Sequence, residues 1–320
     1  MHDFTVVVLD GAFASGVCAT RDILAVAALL APQLAVPRIR WRLCSPQGGA
    51  VALDGGVRID TERLPAARTP DDSTWVIPGL MLTTPAHVNA RLVAPDVQAL
   101  LPRLARHAQR GGRVAAACSA VFLLQAAGLL ERRRVTTTWW LAPHLESLAP
   151  GARVDVDRVV CTDGPLTTAG TAFSQIELTL HLLRERYGPA LAERTASLLA
   201  IQEKTAQTRF IVPEVAAGGD ALVLRLAQRI EAALPACPSV AELAAECAMS
   251  PRTLSRRIRS ATGRSTLALV QAIRLRRAKY LLESSRLPID QIAAAVGYTD
   301  ATALRRLIRR RMGARPRELR

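Results

Sequence analysis

The chain contains no G-x-G-x-x-G and no G-x-x-x-x-G-K-[ST], so neither glycine-loop route to nucleotide binding has support. Its six cysteines, at 18, 44, 118, 161, 237 and 247, form no C-x-x-C pair and show no metal-ligand spacing with histidine. They are expected to be free thiols in a reducing cytoplasm, with no metal and no cofactor. No apolar run long enough to cross a bilayer is free of charge, which argues against a membrane span. Met1-His2-Asp3 leads straight into the apolar run Phe4–Leu9 without a basic segment and cleavage site, so export is not expected.

What is present is an uneven charge. From Val223 to Arg320 there are 20 Lys and Arg against 7 Asp and Glu, a net +13; the preceding residues carry 22 against 20, a net +2. A chain of 320 residues with 50% hydrophobic content has room for about two cores. A nearly neutral body with a strongly cationic end is the pattern of a nucleic-acid-binding module joined to something else.

The cationic end repeats itself. Val240, Leu243, Ala244, Cys247, Ala248, Met249 and Ser250 return 49 residues later as Ile289, Ile292, Ala293, Val296, Gly297, Tyr298 and Thr299. Leu254, Arg256, Arg257, Ile258 and Gly263 return at an offset of 50 as Leu304, Arg306, Leu307, Ile308 and Gly313. Each copy reads as a short helix, a tight turn and a second helix ending at glycine, which is the helix-turn-helix order. Ser250 followed by Pro251, and Asp300 before the second reader helix, are the expected caps. Two matched copies with Arg-rich second helices outweigh the alternative of a basic bundle that only packs. Thr266 to Glu283, with Leu267, Val270, Ile273, Leu275, Ala278 and Leu281-Leu282 near helical spacing, reads as one helix joining them. Readers held about 34 Å apart on one face of B-DNA would enter successive major grooves.

The stretch from Ser239 to Arg320 resembles the AraC/XylS DNA-binding domain. Leu254, Ile258, Leu304, Ile308 and Leu319 stand where that family often has aromatics, Thr266 where it usually has Pro, and Arg315 where it usually has Ser or Thr. The replacements at the aromatic positions remain apolar, so burial is expected to be kept. The resemblance implies base contacts from Arg252, Ser255 and Arg256 in the first reader helix and from Ala301, Thr302 and Arg305 or Arg306 in the second. Arginine pairs bidentately with guanine, whereas Ala301 and Thr302 offer only a methyl or a hydroxyl. Arg309, Arg310 and Arg311 are expected toward phosphate or solvent.

The front of the chain alternates apolar β-rich runs with helical stretches. Strands are expected at Phe4–Leu9, Ile39–Ser45, Ser73–Ile77, Arg113–Ala117, Val154–Val156, Val159–Cys161 and Leu166–Thr168. Helices are expected at Cys18–Leu30, Asp96–Arg110, Ala120–Leu130 and Ala172–Arg186. Such alternation implies a flavodoxin-like α/β fold, a mostly parallel sheet between helices, and then an all-α domain with two helix-turn-helix units. The domains are expected at 1–187 and 223–320 with a helical linker over 188–222, its flexible boundary near 212–221.

A strand ending at Cys118 with a helix starting at Ser119-Ala120 is the nucleophile-elbow arrangement, and a thiol at a helix N-terminus is expected to have a lowered pKa. Together with IPG at 77–79, AAGLL at 126–130 and TTTWW at 136–140, it resembles the ThiJ/PfpI, glutamine-amidotransferase-like domain. Joined to an AraC-type end, that domain resembles the GlxA-type subfamily of AraC regulators. The hydrolytic relatives place a histidine base where this chain has Thr138, an acid that maps to Asp22, and a second glycine where Leu80 stands. Threonine accepts no proton near neutral pH, so the resemblance implies a retained pocket with lost chemistry. Its candidate lining is Asp22, Gly79, Leu80, Cys118, Ser119, Thr138 and Trp139; His144 or His181 could approach, and the Trp139-Trp140 pair could simply pack.

The expectation is a cytoplasmic, non-enzymatic transcription regulator that binds double-stranded promoter DNA. Its α/β domain is expected to sense a small-molecule effector and to form a homodimer, with RNA polymerase as a further partner. Two alternatives stand beside it, a cysteine-dependent hydrolase using Cys118 and a DNA-binding protein whose α/β domain is a ligand-free dimerisation scaffold.

Overall fold

The computed structural model describes residues 2–65, 71–202, 220–262, 265–312 and 315–319, with backbone only at 310–312 and 318–319. The expected boundary over 212–219 and the helix-ending glycines Gly263 and Gly313 lie outside these. The chain divides into two compact units, Met1–Gln207 and Thr208–Arg320.

In the first unit an eight-stranded sheet has the order β3-β4-β2-β1-β5-β6-β10-β9. The strands are β1 (Phe4–Val7), β2 (Trp41–Ser45), β3 (Gly49–Ala52), β4 (Arg58–Arg63), β5 (Thr74–Ile77), β6 (Val114–Ala117), β9 (Val160–Asp163) and β10 (Leu166–Ala169). β1, β5, β6 and β10 bury every residue, as strands with both faces covered must. Pairing is parallel from β4 through β10 and antiparallel at the two edges. The β3–β4 hairpin did not announce itself in the sequence. β4 alternates charge as Arg58, Asp60 and Glu62 and leaves most of its residues exposed, which suits a hairpin at the sheet's edge, where β3 is the outermost strand. The strand expected at Val154–Val156 is β8 (Arg153–Val154), which pairs with β7 (Arg134–Val135) in a separate ribbon.

Seven helices are described around the sheet: α1 (Ala14–Leu30), α2 (Pro85–Leu92), α3 (Pro95–Gln109), α4 (Val121–Ala126), α5 (Ala142–Leu148), α6 (Ser174–Tyr187) and α7 (Pro189–Leu198). α1 buries Gly16, Val17, Thr20, Ile23, Leu24 and Ala27, a stripe at helical spacing. The segment Ala14–Leu34 is long and apolar enough to cross a membrane by composition. It carries the Arg21–Asp22 pair, and its stripe packs into the core with α6 and α7. α7 falls within the stretch read as linker, yet Leu191, Ala192 and Ala196 are buried in this same core.

The second unit consists of α8 (Ala221–Ala232), α9 (Val240–Glu246), α10 (Pro251–Thr262), α11 (Thr266–Ser284), α12 (Ile289–Ala295), α13 (Ala301–Met312) and a final 3-10 turn, Pro316–Leu319. The caps are those the sequence marked. Ser250 Oγ accepts the Thr253 amide at 3.1 Å and Asp300 Oδ1 accepts the Thr302 amide at 2.7 Å. Ser239 and Glu242 add a full capping box to α9. Two cores form, one per repeat, and α11 is a wall of both. It gives Leu269, Val270 and Ile273 to the first and Leu275, Ala278 and Leu282 to the second. Leu254, Ile258, Leu304 and Ile308 are all fully buried, so these aliphatic side chains do fill the aromatic positions. Gly297, at φ +82°, lets the second turn close against the first half; a Cβ there would fall 2.4 Å from the Pro235 carbonyl oxygen.

Candidate functional sites

Successive connections from β1 run to β2 on one side and on to β5 on the other, so the sheet has its switch point between β1 and β5. The loops leaving those two strands pair there. The Phe13 amide donates to Gly79 O at 2.8 Å, and the Met81 amide donates to Gly11 O at 3.2 Å. β6 ends beside them, and Cys118 takes φ +56°, the left-handed region a non-glycine residue rarely enters. Gly79 is required by this approach, since a Cβ on it would lie 2.8 Å from Cys118 Cβ.

The elbow therefore exists, with its thiol held away from water. Cys118 is buried, and burial pushes its pKa up to about 11 against smaller opposing effects of the Ser119 and Thr138 hydrogen-bonding groups. This corrects the expectation of a lowered pKa: removal from water outweighs the short helix start that follows. The groups that bear on its ionisation are neutral. Thr138 Oγ1 is buried without a partner of hydrogen-bonding geometry, and its hydroxyl is one of the groups that oppose the rise in the Cys118 pKa. Thr137 Oγ1 donates to the Cys118 carbonyl at 2.8 Å. Ser119 Oγ donates to Leu80 O at 2.6 Å and accepts the Leu80 amide at 3.2 Å, so the amide that could meet an oxyanion is already engaged.

Gly79, Leu80, Cys118, Ser119 and Thr138 thus come together. Asp22 does not. It sits on the exposed side of α1, paired with Arg21 at 2.9 Å, because the buried stripe of that helix runs through Thr20, Ile23 and Leu24. His144 stacks on Phe122 and meets Asn89 at 3.2 Å; His181 meets Thr162 at 2.9 Å and Glu185 at 3.2 Å. Trp139 packs edge-on against Trp140 at 5.0 Å, and Trp139 is buried.

Sequence reading missed Gln175. Its Nε2 donates to Thr20 Oγ1 at 2.8 Å, while Thr20 donates its own proton to Gly16 O. That chain fixes the amide orientation and leaves Gln175 Oε1 as a buried acceptor with no donor. A Cβ at Gly16 would lie within 4 Å of Gln175 Cβ and Cγ and of Pro78 Cβ, which places the base of the Gln175 side chain near the loop after β5. The contact spans 155 residues of sequence and has no local signal.

In the second unit the reader surface follows helical geometry. On α10, Arg252 and Arg256 are exposed and Ser255 is half-buried, accepting from Thr266 at 3.4 Å. On α13, Thr302, Arg305 and Arg306 are exposed, whereas Ala301 is buried in the second core. Ala301 is thus a packing residue at the start of the helix, where its methyl fills the turn. Arg259 and Arg309, at equivalent places in the two copies, are exposed. Arg310 and Arg311 lie outside the described side chains. Among the described residues no cluster could hold a metal ion, and all six cysteines are free.

Residues 243–320 match the helix-turn-helix domain family and residues 89–185 the DJ-1/PfpI family. The chain is 28% identical over 279 residues to the HTH-type transcriptional regulator GlxA of Rhizobium meliloti, covering 86% of this chain and 83% of that one. It is 24% identical over 280 residues to the HTH-type transcriptional regulator CdhR of Pseudomonas aeruginosa, covering 87% and 80%. In fold it is similar to an AraC family transcriptional regulator from Pseudomonas putida, with a TM-score of 0.51 at 22% identity over 62% of this chain and all of that one. It is also similar to DJ-1beta of Drosophila melanogaster, with a TM-score of 0.51 at 23% identity over 63% and 100%. The class is a transcription regulator that carries a DJ-1/PfpI domain ahead of an AraC-type helix-turn-helix domain. Within it, by domain order and by the span of the match, the chain is GlxA-like.

Proposed function

We propose that the α/β unit senses a small metabolite without catalysis, dimerises, and sets how two DNA-binding units engage a promoter. The observation that carries this is the elbow itself. Cys118 has a raised pKa and no basic partner, and the Leu80 amide is engaged by Ser119. A cysteine nucleophile needs a base, and the groups that bear on this thiol, Ser119 and Thr138, are neutral, which supports the non-catalytic reading. Thr138 Oγ1 and Gln175 Oε1 remain as buried polar atoms without partners. Native folds seldom leave such groups unsatisfied, so their presence near the strand-end loops supports a ligand that completes them.

DNA recognition is assigned to Arg252, Ser255 and Arg256 on α10 and to Thr302, Arg306 and the flanking Arg305 on α13. The α/β unit carries little net charge, so its influence on DNA runs through the pairing of two copies rather than through phosphate contacts. RNA polymerase at the promoter is the expected further partner. The test is a thermal-shift screen of metabolites on the full chain, followed by DNA-binding titrations with each hit. A metabolite that raises the unfolding temperature and changes DNA affinity supports the sensor; turnover of an amide or ester that depends on Cys118 defeats it.

A further inference from the structure

A groove of about 630 Å³ lies between the second reader helix and the C-terminal turn. Arg305 and Arg309 of α13 form one wall, Arg315 and Arg317 the other, and Ile289 and Pro316 contribute its apolar lining. Arg305 stands 3.8 Å from Asp290, the outer limit of an ion pair, with the Asp290 side chain 74% exposed. Such a pair contributes little, so Asp290 does little to offset the Arg305 charge that faces the groove.

Its place relative to the reading face identifies the partner. Thr302 and Arg306 are one turn apart on the solvent face of α13, opposite the buried Leu304, Leu307 and Ile308. At about 100° per residue, Arg305 lies roughly 60–100° around the helix from that pair, and Arg309 close to its edge. A helix about 10–12 Å across fills a major groove about 12 Å wide, so residues displaced by this angle meet the sugar–phosphate wall rather than base edges. Guanidinium forks match phosphate geometry, and the groove is wide enough for a backbone segment rather than a single ion.

Resting on the reading that α13 enters the major groove, we propose that this groove seats one backbone strand of the DNA. The C-terminal turn then closes over it as a clamp, with Arg315 and Arg317 holding phosphates beyond the base pairs that α13 reads. The clamp adds affinity and fixes register while carrying no sequence information.

The test uses the full chain and its Arg315→Ala and Arg317→Ala variants. Both side chains are exposed, and circular dichroism checks that the fold is kept. Affinity is measured on the specific site and on random DNA over a series of salt concentrations. The expected result is an equal loss on both DNAs, an unchanged base preference, and a log–log salt slope shallower by about 0.9 for each phosphate contact removed. Single methylphosphonate substitutions along the site then locate the contact: one neutralised phosphate outside the α13 base pairs weakens the wild type and leaves the variant that lacks its arginine unaffected. Wild-type affinity, slope and methylphosphonate sensitivity in both variants would overturn the clamp; if promoter activation fell at the same time, the groove would belong to an acidic peptide instead. A wild type that binds all DNA alike would remove the reading of α13 itself, which is a separate and recognisable result.

Discussion

Ser119 Oγ joins both backbone groups of Leu80, donating to the carbonyl at 2.6 Å and accepting from the amide at 3.2 Å. One hydroxyl ties the elbow after β6 to the loop after β5, next to Cys118. Both bonds are buried, with Ser119 fully inaccessible.

Ser119→Ala therefore leaves the buried Leu80 amide unpaired, while the Leu80 carbonyl keeps the Leu82 amide at 2.8 Å. The expected cost is about 1–3 kcal/mol, read as a lower unfolding temperature of the α/β transition. An unchanged transition would mean that the Leu80 amide finds water, and that the Ser119 hydroxyl contributes nothing.

Cys118 is expected to be inert at neutral pH. With its pKa near 11 against an ordinary 9.0, it holds about a hundredfold less thiolate than a free thiol, and thiolate is the reacting species. Alkylation followed by peptide mass spectrometry should label Cys118 far more slowly than the half-exposed Cys18, Cys237 and Cys247. The shift also has a stability consequence. The fold disfavours the thiolate, so the unfolded chain loses the proton first, and stability falls as pH rises from 9 toward 11. Cys118→Ser should weaken that alkaline limb without abolishing it, because burial holds Cys44 near 11 as well. DNA affinity without effector should be unchanged, and neither form should hydrolyse amides or esters. Rapid, selective labelling of Cys118 would overturn the neutral-thiol reading.

The central strands were legible because a parallel sheet covered on both faces needs continuous apolar runs, as in Phe4–Leu9 and Arg113–Ala117. The edge hairpin was not, because Arg58, Asp60 and Glu62 are selected for water and against edge pairing. α2 and α5 were missed because each is about two turns long, too short for an apolar stripe to repeat. Asp22 was misplaced by analogy, although the spacing of Val17, Thr20, Leu24 and Ala27 already turns it to solvent. The twin repeats were legible, with the caps at Ser250 and Asp300, because a helix-turn-helix is a local unit. Gln175 was beyond reach, since its partner Thr20 is brought to it only by the packing of α1 on α6.

Arg256 is exposed on α10, about a turn and a half past the Ser250 cap, opposite the buried Leu254 and Ile258. Arg256→Ala should cost roughly 1–3 kcal/mol on the specific site and relax preference at one or two base pairs. Arg306→Ala, the equivalent change in the second repeat, should relax preference at a different position in the same site. Selection of binding sites from random DNA by each variant measures both. Equal loss on specific and random DNA would make either residue a phosphate contact.

The DNA-binding unit is expected to fold by itself but to bind less well by itself. Its two cores are built from residues between Leu222 and Ile308. Its first helix starts at a cap within the unit, with Asp220 Oδ1 accepting the Leu222 amide at 2.8 Å. A fragment of residues 220–320 keeps the reader helices and the phosphate-facing arginines. Its salt slope per unit should therefore stay close to that of the full chain. What it loses is the partner held at fixed spacing, and with it the effective concentration that makes the second engagement intramolecular. The fragment should bind the specific site more weakly than the full chain, protect a shorter stretch of DNA and show no response to an effector. Gel shifts and footprints of both proteins across several salt concentrations decide the matter. Equal affinity and equal footprint length would mean that the α/β unit does not organise DNA binding, and a ligand bound there could then shift promoter occupancy only through some other difference between two states of the protein.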